Sequence, residues 1–171
     1  PVEEMLSYYE ARNRDVARIP VADRVDRAGD QRLRIKDIAL VDRSGTTIGT
    51  AICGQYLGIR ITVETGEVAG PLRVGINMFE TEGYILVNAN SGDQGSHLMA
   101  SAGEQVFLCE FDRFPLRRGS YRFNLNCELA GVTADKLVNA FELHVEDGDF
   151  YGTGKLPHHG RVMVQHRWST R

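Results

Sequence analysis

From Gln31 onward, apolar residues recur at every second position, which constrains this chain more than any other feature of its sequence. Leu57, Ile59, Ile61 and Val63 alternate with Gly58, Arg60, Thr62 and Glu64. Leu72, Val74, Ile76 and Met78 alternate with Arg73, Gly75, Asn77 and Phe79. Tyr121, Phe123, Leu125, Cys127 and Leu129 do the same with Arg122, Asn124, Asn126 and Glu128. Phe141, Leu143 and Val145 follow suit, as do Val162, Val164, His166 and Trp168. In an extended chain successive side chains point to opposite faces, so each run buries one face and wets the other. A helix would need its apolar residues three and four apart. Less regular runs at 33–41, 84–88 and 106–111 complete the set, and the last, apolar at both parities, predicts cover on both faces.

Turn residues punctuate these runs: Arg43-Ser44-Gly45, Glu82-Gly83, Gly131 and Asp147-Gly148-Asp149, the last read as a hairpin turn. Parallel strands would need helical crossovers of about a dozen residues, and no such pattern intervenes. The prediction is an all-β fold, an antiparallel β-sandwich over 31–171. Before it, Val2, Met5, Leu6 and Tyr9 form the stripe of a short N-terminal helix. From Arg12 to Asp30, 9 of 19 residues are Arg or Asp, which predicts a solvated linker with little to bury. Residues 1–30 therefore read as helix and linker from a preceding domain, and Pro1 in place of Met suggests a piece of a longer chain.

Composition narrows the function classes. At 171 residues, 42% hydrophobic and 25% charged, the chain has material for one core. Lys and Arg (20) fall short of Asp and Glu (23), which argues against a nucleic-acid partner. The apolar runs are too short for a membrane span, and no signal-peptide pattern opens the chain. Cys53, Cys109 and Cys127 are too few for a disulfide framework and predict reduced thiols in the cytoplasm.

Catalytic signatures fail on spacing. Gly152-Thr153-Gly154-Lys155-Leu156 lacks the hydroxyl and the glycine spacing of a phosphate loop. Gly95-Ser96-His97 has no strand-to-helix frame for a nucleophile. His158 and His159 would point opposite ways, and His166 shares the apolar phase of Val164, so a core histidine is expected and no metal. Glu110 and Asp112 share a strand face without any sign of a cleft. The expectation is a non-catalytic module without cofactor. Its wet faces carry Arg60, Asn77, Phe79, Arg122, Asn124, Asn126, Glu142 and His144. Planar amides and guanidinium groups suit sugar hydroxyls, and an outward aromatic offers a platform for a sugar ring. Arg60, Asn77, Phe79, Arg122, Asn124, Asn126 and His144 are thus the candidate carbohydrate contacts. The competing reading is a self-association or protein-binding module with no sugar ligand.

Several segments taken in order carry a resemblance. They are Gly29-Asp30-Gln31-Arg32-Leu33, Val41 to Gly45, Gly54 to Val63, Val74-Gly75-Ile76-Asn77, and Glu82-Gly83-Tyr84 through Asn90-Ser91. The corner Phe114-Pro115-Leu116-Arg117-Arg118-Gly119-Ser120-Tyr121 follows, then Phe150-Tyr151-Gly152 through Val162 to Trp168. This order resembles the C-terminal domain of Wzt proteins, the ATP-binding subunits of ABC transporters that export lipopolysaccharide O-antigen. The resemblance implies an immunoglobulin-like or jelly-roll sandwich that forms a homodimer in the cytoplasm. It also implies recognition of the modified non-reducing end of an O-antigen polysaccharide on a sheet's outer face. A membrane-embedded transporter subunit would be reached through the full-length protein. The ATPase motifs of such a subunit are absent from these residues.

Overall fold

The computed structural model describes residues 19–66, 69–80 and 83–170. The helix expected around Val2–Tyr9 lies outside them. A single 3-10 turn, Val21–Asp23, precedes β1 (Arg27–Ala28), β2 (Leu33–Val41), β3 (Ala51–Ile52), β4 (Leu57–Thr65) and β5 (Gly70–Phe79). Then come β6 (Ile85–Asn90), β7 (Leu98–Ala100), β8 (Gly103–Phe111), β9 (Gly119–Leu129) and β10 (Val132–Glu146). The larger sheet runs β1-β10-β9-β5-β6, with β7 on β5 and β3 on the end of β10. The smaller sheet is β2-β4-β8. All pairings are antiparallel except that of two-residue β3, parallel to the end of β10.

The alternation sets the packing. Ile59, Ile61 and Val63 of β4 face inward against Val74 and Ile76 of β5 and Phe123 and Leu125 of β9, in one core shared by both sheets. Beside it the Tyr121 hydroxyl donates to the Arg117 carbonyl at 2.7 Å and fixes the corner that leads into β9. Strand β10 breaks strict alternation, as β2 does at Lys36. Leu137 pairs with Leu125 but Phe141 pairs with Phe123, so four steps on β10 match two on β9. The surplus forms a bulge, and Asn139 sits in it at φ +50°, a conformation Asn adopts more readily than most residues. Beyond the bulge Phe141 stacks on Phe123 with ring centroids 5.4 Å apart.

Four expectations need correction. The stretch up to Asp30 is not a loose linker from Pro20 onward. Arg24 is only 1% exposed, and Arg27 pairs with Asp135, whose carboxylate also accepts the Ile35 N–H at 2.8 Å. Burial lowers the Arg27 guanidinium pKa, and the Asp135 charge opposes that shift. These charged side chains point inward at carbonyls and a carboxylate, a use of charge that sequence polarity conceals.

The closing strand expected at Val162–Trp168 does not form. Leu116 and Val162 make an isolated bridge, Met163 is buried, but Val164 and His166 are exposed and Trp168 is 89% exposed. Alternation gives a segment the capacity to be a strand, but a ladder also needs a neighbouring edge, and among the described residues none continues past Val162. His166 is accordingly no core histidine.

Strand β8 is covered on one face only. Val106 and Leu108 remain 58% and 47% exposed because no element among the described residues covers them, whereas Tyr56 packs on the same outer face only over Gly58 and Glu110. Finally, Asp147-Gly148-Asp149 is not a hairpin, since β10 is followed by turns. Asp147 accepts the Arg118 N–H at 3.2 Å, and Asp149 accepts those of Thr153 and Gly154.

Candidate functional site

The outer face of the larger sheet collects amides. Register places Asn124 of β9 beside Asn77 of β5, and Asn77 beside Asn88 of β6. One row along, Asn126 stands beside Gly75, and Gly75 beside Asn90. Phe79 sits beside Arg122, and Arg122 beside Glu142 of β10. Neighbouring strands lie about 5 Å apart, so the three rows form a lattice of polar groups within reach of one small ligand.

Each amide is held by local structure. Asn88 Nδ2 donates to Asn77 Oδ1 at 2.6 Å. The Asn139 N–H donates to Asn124 Oδ1 at 2.9 Å, and Asn126 Nδ2 donates to Glu128 Oε1 at 3.1 Å. Asn126 Oδ1 is buried without a hydrogen-bond partner among the described residues. An unpaired buried acceptor calls for a donor, from water or from a ligand hydroxyl. Gly75 lies between Asn126 and Asn90 in its row. A Cβ there would stand 3.2 Å from Asn90 Nδ2, so the missing side chain lets the Asn90 amide lean over the β5 backbone.

Beside the lattice a cleft of about 550 Å³ is lined by Pro71, Arg73, Gly92, His97, Met99 and Glu128. Arg73 lies against Gly92, where a Cβ would meet its Nε at 2.5 Å, and its Nη1 is 3.8 Å from Glu128 Oε2. The face therefore continues from the amide rows to the rim at 91–97. A second crevice, of about 350 Å³, opens between the sheets near Phe107 and Cys109 and is mainly apolar.

Of the seven candidate contacts, Asn77, Phe79, Arg122, Asn124 and Asn126 share this face as neighbours. His144 shares the face but stands apart, opposite Ser120, whose hydroxyl is 3.0 Å from its Nδ1. Ser120 and Asn126 are six residues apart, about 20 Å in extended chain, so His144 and Asn126 cannot touch one sugar. Arg60 is a correction. It lies on the outside of the smaller sheet between Ala39 and Leu108, across the core from the other six. Alternation shows that a residue is outward, but not from which sheet. Sequence reasoning passed over Gly75, Asn88, Asn90, Arg73 and Glu128. Gly75 in mid-strand was the legible signal, because a glycine there weakens a strand unless something must approach closely.

The thiols are pushed away from reactivity by burial, Cys109 to about 11 and Cys127 to about 12. Among the described residues no group of three or more His, Cys, Asp or Glu is gathered to hold a metal ion.

The model of the Wzt C-terminal domain family matches residues 24–160. The chain belongs to the Wzt C-terminal domain family. The match begins at Arg24, within the docked segment. In fold it is similar to the crystal structure of a Wzt C-terminal domain, at a TM-score of 0.69 and 17% identity, covering 92% of this chain and 96% of that one. Two weaker likenesses are a CARDB domain with di-metal ions from Pyrococcus furiosus (TM-score 0.36, 12% identity, 66% and 94% covered) and a glucose-bound β-glucosidase from Listeria innocua. The latter has a TM-score of 0.38 and 12% identity, covering 67% of this chain and 16% of that one. Neither bears on what this Wzt C-terminal domain does. No curated protein matches the chain by sequence.

Proposed function

We infer that this domain is a non-catalytic reader of a polysaccharide end, binding the modified non-reducing terminus of an O-antigen chain on the outer face of the larger sheet. The observation that carries the reading is the amide lattice of Asn77, Asn88, Asn90, Asn124 and Asn126 around Gly75, with Phe79 and Arg122 at its side. Amides supply donors and acceptors in fixed planes, and a half-buried phenyl ring supports the C–H face of a pyranose. Family membership supports a context of polysaccharide export by an ABC transporter; the proposal adds a cytoplasmic location and a membrane subunit reached through the full-length protein.

An open site of this kind gives weak binding, about 10⁻³ to 10⁻⁵ M, or roughly −4 to −7 kcal/mol. Weak binding suits a reader that must release its chain. A homodimer formed through the smaller sheet, where Val106 and Leu108 are exposed, would leave the amide face open and would raise retention through two engaged ends. The same apolar strip favours the second reading, a self-association module with no sugar ligand.

Calorimetric titration with capped and uncapped O-polysaccharide fragments tests the reading. The R122A/N126A double variant should lose binding while melting within a few degrees of the parent. Binding that survives the double change, or a parent that binds no fragment and merely dimerises on concentration, overturns it.

A further inference from the structure

The docked N-terminal segment and the amide face are joined by a short chain of hydrogen bonds. Arg24, between the 3-10 turn and β1, extends its guanidinium into the bulge of β10. Its Nη2 donates to the Val138 carbonyl at 2.7 Å and its Nη1 to the Asn139 carbonyl at 2.9 Å. Asp26 completes the clamp, accepting from Arg24 Nε and Nη2, each at 2.6 Å. From the other side of the same bulge, the Asn139 N–H holds Asn124 Oδ1 at 2.9 Å.

The arrangement has a physical logic. A bulge places two residues where the ladder has no partners for them, so the carbonyls of Val138 and Asn139 need donors from elsewhere. Asn139 is also at positive φ, a conformation that persists when the surroundings over-determine it. A buried, charge-balanced guanidinium that binds both carbonyls supplies that determination. With Asn124 Oδ1 taken by the bulge, its Nδ2 makes no hydrogen bond among the described residues and remains available as a donor.

We propose that Arg24 is a positioning residue for the saccharide face, acting through the β10 bulge to fix the amide plane of Asn124. The proposal rests on the glycan reading of that face. It makes the segment by which the chain enters the domain part of the binding apparatus. Release of that segment frees the bulge, and a freed bulge loses its hold on Asn124. Arg24 itself touches no sugar.

The test is a double-mutant cycle on the domain, titrated with the capped O-polysaccharide fragment. R24A should weaken binding about tenfold, the scale of one well-oriented hydrogen bond. In an N124A background the same change should have no further effect beyond about twofold, the usual error of additivity. D26N, which loosens the clamp from the half-exposed side, repeats the measurement should R24A fold poorly. The side-chain ¹⁵N–H resonances give a signature that general loss of stability would not: R24A should shift Asn124 and leave Asn77 in place. Affinity unchanged in R24A, or losses in R24A and N124A that multiply, overturns the relay alone. A parent that binds no fragment overturns the glycan reading, and the relay's role with it.

Discussion

Asn88 donates its side-chain amide to the side-chain oxygen of Asn77 at 2.6 Å across the β5–β6 seam. The bond consumes one donor and one acceptor, and so it fixes which groups remain outward: the amide of Asn77 and the oxygen of Asn88. N88A releases Asn77 to rotate. Titration of this variant should show three- to tenfold weaker glycan binding, roughly one hydrogen bond, while the melting temperature moves little because the pair is on the surface. An unchanged dissociation constant would remove Asn77 from the list of contacts.

The missing side chain at Gly75 makes a sharper demand. Its φ is not in the left-handed region, and the added Cβ meets only the end of the Asn90 side chain at 3.2 Å. The strand itself can therefore accept a larger residue, and valine is a better strand former than glycine. G75V should keep or raise thermal stability while abolishing glycan binding by filling the floor. Retention of binding in a well-folded G75V protein would show that the ligand does not enter the lattice.

Legibility of this fold from sequence followed how local the causes were. The strands β4, β5 and β9 alternate without interruption, and each forms where the period places it. The first half of β10 was missed because the bulge at Leu137–Phe141 breaks the period and because Asp135 is a charged residue in the core. Its partner Arg27 lies 108 residues away, and nothing local announces the pairing. Charge content misread the Arg- and Asp-rich approach segment, and alternation predicted a strand at Val162–Trp168, where the pattern was present and the partner edge was not. For the site, outward asparagines were visible on β5 and β9. Their grouping around Gly75 depended on register, which alternation does not supply.

The three thiols should be inert in the folded protein. Burial pushes Cys109 to about 11 and Cys127 to about 12, and it raises Cys53 as well. At pH 8 the thiolate share of a group near 11 is about one in a thousand. Treatment with a disulfide reagent in native buffer should proceed slowly, at Cys109 first because it alone is half-exposed. All three should react at once in guanidinium. Rapid stoichiometric labelling of the native domain would contradict the packing described for the core.

Acid should undo the clamp at the N-terminal segment before it undoes the core. The Arg24 guanidinium, by hydrogen bond and by charge, holds the Asp26 carboxyl below the usual carboxylate range, with Arg27 adding to the effect and partial burial opposing it. The sign follows from linkage. A carboxyl whose folded pKa is depressed contributes stability above its unfolded value, near 4, and loses it as pH falls toward the folded value. Because the Asp26 side chain is half-exposed, salt screens the pair and the contribution is modest. A carbon-detected titration should therefore place the Asp26 midpoint below about 4, and R24A should return it to the ordinary range. Asp30, Asp42 and Asp147 are depressed too, so the whole domain weakens in acid. D26N isolates one share of that loss: its stability should fall less steeply than the parent's below pH 4. Parallel curves for D26N and the parent, with the Asp26 midpoint at its ordinary value, would mean that Arg24 is held in the bulge without its counter-ion.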